Sequence, residues 1–110
     1  MYLQDFYKRL TELNTEENKN KEILVAYQEQ FAKIKSIKLI SSFVLEIRTT
    51  NIEDDTNINT IDDLKNKITD IISNYDNMKY YTIHIDGNQQ PILDVDEDIE
   101  NTITIGLIEF

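Results

Sequence analysis

The chain has no cysteine and no tryptophan, and only one proline, one histidine and two glycines in 110 residues. Without cysteine there is no disulfide framework, no thiolate metal ligand and no thiol nucleophile. A lone histidine leaves too few nitrogen and sulfur donors for structural zinc, which takes four such ligands. Gly87 and Gly106 alone cannot build a glycine-rich phosphate cradle. None of Ser36, Ser41, Ser42 and Ser73 has the flanking glycines of a nucleophile elbow. Long apolar runs are missing too. The best stretch, 37–47, is broken by Lys38, Ser41, Ser42 and Glu46, whereas a membrane span needs about 20 apolar residues. The opening Met1-Tyr2-Leu3-Gln4-Asp5-Phe6 lacks the basic-then-apolar layout of a signal peptide. A cytoplasmic location without a membrane partner is therefore expected.

Positive charge is also scarce. Twenty-one acids face eleven bases, for a net charge of −10, and such a surface repels a phosphate backbone. Lys33, Lys35 and Lys38 form the one basic cluster, and three lysines release few counterions, so no direct nucleic-acid partner is expected. The charge is uneven. Residues 1–48 hold eight bases and seven acids, whereas 49–110 hold fourteen acids and three bases.

With 40% hydrophobic residues at this length, the chain can bury one core without covalent staples, so a single domain over 1–110 is expected. Leu3, Phe6, Tyr7, Leu10 and Leu13 recur at helical spacing. Asn14 and Glu17 read as a capping box opening a second helix over 15–35, with Ile23, Ala26, Tyr27, Phe31 and Ile34 on its apolar face. From Ser36 the period becomes two. Ile37, Leu39, Phe43, Leu45 and Ile47 alternate with polar residues, which predicts one long strand. Residues 49–59 show no period and read as a loop. Thr60 then caps a helix begun by Asp62 and Asp63 and carried by Ile61, Leu64, Ile68, Ile71, Ile72 and Tyr75, with Asn74 as its end. A strand over 78–86 follows. Asp86-Gly87 is a hairpin signal leading to a return strand with Ile92, Leu93 and Val95, and a last strand covers 102–110. The expected class is α+β: an N-terminal helical hairpin (1–35), then a mostly antiparallel sheet of about four strands with one helix, in the order α-α-β-α-β-β-β. The helix from Thr60 reads as a crossover between parallel strands.

Chemistry is thinly supplied. His84 is the only imidazole and sits mid-strand with no evident partner, so no enzymatic activity is expected. Carboxylates alternate over 94–100, as calcium would want, but an EF-hand loop begun at Asp94 would place Ile99 and Ile105 where Gly and Glu are needed. A looser calcium site there is the weaker alternative, and no metal or cofactor is expected. What remains is the acidity, gathered at Glu53-Asp54-Asp55, at Asp62-Asp63, and at Asp94, Asp96, Glu97, Asp98 and Glu100. Such a field attracts a basic protein partner. The expected binding residues are Glu53, Asp54, Asp55, Asp94, Asp96, Glu97, Asp98 and Glu100, with Tyr80 and Tyr81 as aromatic anchors.

In size, acidity and want of catalytic motifs the chain is similar, as a class only, to phage anti-restriction and anti-CRISPR proteins and to immunity proteins against nuclease toxins. That likeness implies an inhibitor of a nucleic-acid-handling protein, in which carboxylates stand in for phosphates. The alternative is an adaptor subunit of a larger phage or bacterial assembly, of connector or tail-completion type. There the C-terminal strand would lie on a sheet edge and pair with a neighbouring copy.

Overall fold

Leu3, Phe6, Leu10 and Leu13 are fully or almost fully buried, and the helix that carries them, α1 (Leu3–Leu13), shapes everything around it. The computed structural model describes residues 1–27, 30–87, 92–97 and 102–107. Six strands follow α1: β1 (Glu22–Tyr27), β2 (Gln30–Ser41), β3 (Val44–Thr50), β4 (Thr82–Ile85), β5 (Ile92–Glu97) and β6 (Thr102–Leu107). Helix α2 (Ile61–Ile71) lies between β3 and β4, and a short 3-10 helix, Tyr75–Tyr80, leads into β4.

The strands form one mixed sheet in the order β4-β3-β2-β1-β6-β5. β1–β2, β2–β3 and β5–β6 are antiparallel, while β1–β6 and β3–β4 are parallel. The α2 crossover is thus present, linking parallel β3 and β4. Its start is as the sequence dictates: Thr60 Oγ1 accepts the Asp63 amide at 3.2 Å, and Asp63 Oδ2 accepts the Thr60 amide at 3.1 Å. Asp62 and Asp63 also lie at the positive end of the helix dipole.

Five strand spacings would hold β4 and β5 about 24 Å apart in a flat sheet. The sheet is instead curled, and α1 bridges its two edges. The Leu3 amide donates to Tyr81 O at 2.9 Å beside β4, and Tyr2 bridges Thr82. Six residues on, about 9 Å of helix, Arg9 Nε donates to Val95 O in β5 at 2.9 Å. The concave face then closes over Phe6 and Leu10 of α1, Ile61, Leu64 and Ile68 of α2, and Leu45, Ile47, Val95, Ile103 and Ile105 of the sheet. β6 shows the strand period cleanly, with Ile103, Ile105 and Leu107 buried between half-buried Thr102, Thr104 and Gly106.

Several expectations fail here. There is no helical hairpin over 1–35, and the sheet has six strands rather than about four. Residues 15–21 make turns, and 22–41 form β1 and β2. Ile23, Leu24 and Val25 are buried in succession: Ile23 and Val25 belong to the core, and Leu24, on the other face between its cross-strand partners Lys33 and Thr104, is covered as well. A short apolar run buried on both faces has no alternation to distinguish it from a helix.

The long strand expected over 37–47 is a hairpin folded at Ser42-Phe43. Ile37 faces Ile47 and Leu39 faces Leu45, so one alternating pattern continues through the reversal. Helix α2 ends at Ile71, and Asn74 instead accepts the Asp76 amide at the start of the 3-10 helix. Asp86 and Gly87 do take positive φ, 53° and 76°, but β4 and β5 end on opposite edges and each pairs elsewhere. The C-terminal strand β6 is internal, flanked by β1 and β5, and offers no edge to a neighbour.

No helix among the described residues is long and apolar enough to cross a membrane. Replacing Phe6, wholly buried between the sheet edges, by Ala is expected to cost about 3–5 kcal/mol in urea unfolding. Thr60→Ala, which removes one cap bond, is expected to cost about 1 kcal/mol.

Candidate partner-binding surface

The fold divides the expected acidic residues into two kinds. Glu53, Asp54 and Asp55 are exposed in the turn that follows β3. The turn is held by its backbone and by Asp54: the Asp54 amide donates to Asn51 O at 3.0 Å, Lys33 Nζ donates to Asp54 O at 3.0 Å, and Thr50 Oγ1 donates to the Asp54 carboxylate. The carboxylates of Glu53 and Asp55 have no cation within salt-bridge distance among the described residues.

The acids of β5 are engaged. Arg9 reaches Asp94 at 3.6 Å and Asp96 at 2.9 Å. Glu97 lies 3.9 Å from Lys21 Nζ and accepts Asn18 Nδ2 at 2.9 Å. Asn18, 1% exposed, also donates to Leu13 O at 3.0 Å, so Glu97 takes part in fastening the end of α1. Asp98 and Glu100 lie outside the described residues. The two acidic groups are not neighbours, since β5 is four places from β3 in the sheet and Glu97 ends its strand at the opposite end from Glu53. Tyr80 and Tyr81 lie at that opposite end too: Tyr80 is 57% exposed beneath Lys79 Nζ, and Tyr81 packs tilted on Phe43 with ring centres 5.7 Å apart.

Beside the Glu53 turn the curled sheet leaves a cleft of about 520 Å³. Val25, Phe31, Ala32, Ile52, Ile85 and Leu107 supply its apolar surface, and Thr49, Thr50, Asn51, Glu53 and Asp86 supply its polar rim. No lysine or arginine lines it among the described residues. Asp86 is fixed there. Its carboxylate accepts the Thr49 amide at 2.8 Å and the Thr49 hydroxyl at 2.5 Å, tying β4 to β3. Phe31 and Ile52 remain 41% and 46% exposed, which gives the cleft an apolar lip next to its carboxylates. Sequence reasoning missed this juxtaposition. Phe31 had been assigned to a helix face, and Ile52 is one apolar residue in a polar loop.

His84 is half-buried on β4, opposite Glu46 of β3. Glu46 is 2% exposed although its neighbours Leu45 and Ile47 face the core on the other side. Arg48 Nε contacts its carboxylate at 2.7 Å, and a Cβ at Gly87 would stand 3.6 Å from its second oxygen. The turn after β4 thus packs against this face of the sheet. Among the described residues no three His, Cys, Asp or Glu side chains are grouped to hold a metal ion. Comparison with protein-family models, with curated proteins and with solved structures gives no match for this chain.

Amide substitution separates the two kinds of acid. Glu53→Gln with Asp55→Asn is expected to change the unfolding free energy, measured by urea titration, by no more than about 0.5 kcal/mol. Asp94→Asn with Asp96→Asn, which takes both β5 carboxylates from Arg9, is expected to cost about 1 kcal/mol in the same measurement.

Proposed function

We propose that this chain is a small, non-enzymatic binding protein that occupies and blocks a basic protein partner through the cleft end of its sheet. The partner class is a nucleic-acid-handling protein, whose phosphate-gripping lysines and arginines would meet carboxylates instead of phosphates. One observation carries the proposal: a cleft of mixed apolar and polar lining, bordered by Glu53 and Asp86 and flanked by Asp54 and Asp55, with no base among its described lining residues and Lys33 held outside it on the Asp54 carbonyl. Apolar surface supplies affinity and unpaired charge supplies steering, and this site offers both. Phe31 and Ile52 take the anchoring role that sequence reasoning gave to Tyr80 and Tyr81. The β5 acids contribute to the overall field while their close contacts serve α1. A cytoplasmic setting belongs to the same proposal. The competing enzymatic reading rests on His84, whose facing carboxylate, Glu46, is engaged by Arg48.

A second reading, a subunit of a larger assembly, is favoured by the exposed apolar residues at the other end of the sheet, Leu39, Ile40, Phe43 and Tyr80.

A short alternating Lys-Leu peptide is the probe for the first reading. Its affinity is expected to fall at least about tenfold as salt rises from about 0.05 to about 0.5 M, because screening shortens the reach of the rim charges. Glu53→Gln/Asp54→Asn/Asp55→Asn is expected to weaken binding about tenfold at low salt, whereas Asp94→Asn/Asp96→Asn and His84→Gln leave it unchanged. Equal loss in the rim and β5 variants would mean that net charge alone is being sensed, and would end the proposal.

A further inference from the structure

Both ends of the curled sheet expose apolar side chains. At the end away from the cleft, the β2–β3 hairpin turns at Ser42-Phe43 and exposes Leu39 (43%), Ile40 (45%) and Phe43 (56%). Tyr80 and Tyr2 lie exposed nearby, placed by Tyr81 against Phe43 and by the Tyr2–Thr82 bridge. Lysines flank this apolar tip: Lys38 precedes Leu39 and is exposed, and Lys79 lies over Tyr80 at 5.2 Å. Asp76 is the only carboxylate on the 3-10 helix that carries Lys79. A monomer seldom leaves so much contiguous apolar side chain uncovered without a use for it.

We propose that the hairpin tip of one copy seats in the acidic cleft of a second copy, head to tail. The proposal rests on the reading of the cleft as a receptor for an apolar segment flanked by positive charge, and it names the chain's own tip as such a segment. Three observations fit them together. The tip is a hairpin closed by a two-residue turn, and the cleft, at about 520 Å³, has room for a large side chain such as that of Phe43. Phe43 is held by Tyr81 rather than free to collapse, so little side-chain freedom is lost on docking. Lys38 and Lys79 flank the tip, while Glu53 and Asp55 beside the cleft have no cation partner among the described residues, so the two surfaces are complementary in charge.

No molecule can satisfy itself this way. The tip lies at the start of β3 and the cleft at its end, about 20 Å apart along seven residues of strand. Each copy therefore presents one knob and one socket. Such a heterologous contact grows into a ring if the rotation closes and into a filament if it does not.

The test uses the full chain in analytical ultracentrifugation up to about 1 mM, where even a contact with a Kd of about 1 mM registers. Species beyond a dimer are expected at about 0.05 M salt and are expected to dissociate toward monomer at about 0.5 M. Phe43→Asp destroys the knob and Glu53→Lys/Asp55→Lys the socket; both changes are on exposed residues, and thermal unfolding checks that each variant folds. Each alone is expected to be monomeric. Mixed in equal amounts, they retain one intact knob and one intact socket, and are expected to form a heterodimer and nothing larger. A monomeric wild type, assembly that survives either variant, or a mixture that stays monomeric would overturn the proposal. The Lys-Leu peptide keeps the two readings distinct. If it still binds Phe43→Asp while the wild type stays monomeric, only self-association falls; if it binds neither protein, the reading of the cleft falls with it.

Discussion

Leu3 and Arg9 sit six residues apart on one helix, and each donates a hydrogen bond beside a different edge of the sheet. That bridging makes the curvature of the sheet necessary. With β4 and β5 both held by α1, the strands between them must bow, and the concave side becomes a volume that only large apolar side chains can fill. Phe6 and Leu10 fill it from the helix, and Leu45, Ile47, Ile103 and Ile105 fill it from the strands. The bulge of β2 at Lys35 belongs to the same constraint. There β2 parts from β1, the Ile23 amide turns to Asn59 O at 2.9 Å, and Ile58 bridges Ile34. The loop after β3 is thereby drawn into the wedge, with Ile58 buried and Glu53 to Asp55 left outside.

Closure also sorts the charges. Carboxylates near α1 and its exit are consumed in holding it: Asp94 and Asp96 by Arg9, Glu97 by Asn18 and Lys21, and Asp62 by Asn14 at 2.8 Å. Those in the loop beyond β3 are spared that duty. A chain charge of −10 is therefore not a uniform coat. Part of it is internal fastening, and part is presented beside an apolar cleft. The proposed binding rests on the second part.

How far this was legible in the sequence depended on whether local pattern and tertiary partner agreed. The capping box of α2, the apolar stripe of α1 and the alternation of β6 are local signals that the packing reinforces. The acidic turn at Glu53 was visible as composition alone. Over 22–41 the signals conflict. β1 is buried at Ile23, Leu24 and Val25 in succession, so it shows no alternation, and its parallel partner β6 is about 80 residues away, beyond any local window. The β2–β3 reversal was hidden because Ser42-Phe43 carries neither glycine nor proline and the alternation runs on unbroken. Asp86-Gly87 gave a true turn and a false pairing, since φ at a turn says nothing of which strand comes next in the sheet. The cleft was beyond reach for the same reason: Phe31, Ile52, Ile85 and Leu107 meet only once the sheet has curled.

The same closure narrows how this molecule meets others. Strand addition needs a free edge, and both edges are encumbered. The β5 edge has its Val95 carbonyl capped by Arg9, and the β4 edge is four residues long and bridged at Thr82 by Tyr2. Short, capped edges resist pairing with another chain. The convex face offers little apolar purchase near β4, where Lys38, Arg48 and His84 surround the buried Glu46. The two ends of the sheet differ: Glu53 and Asp86 border a cleft at one, and Leu39, Ile40, Phe43 and Tyr80 are exposed at the other. A surface with one sign of charge disperses copies of itself. Under the proposed head-to-tail contact, the local pairing of Lys38 and Lys79 with Glu53 and Asp55 is what would overcome that dispersal.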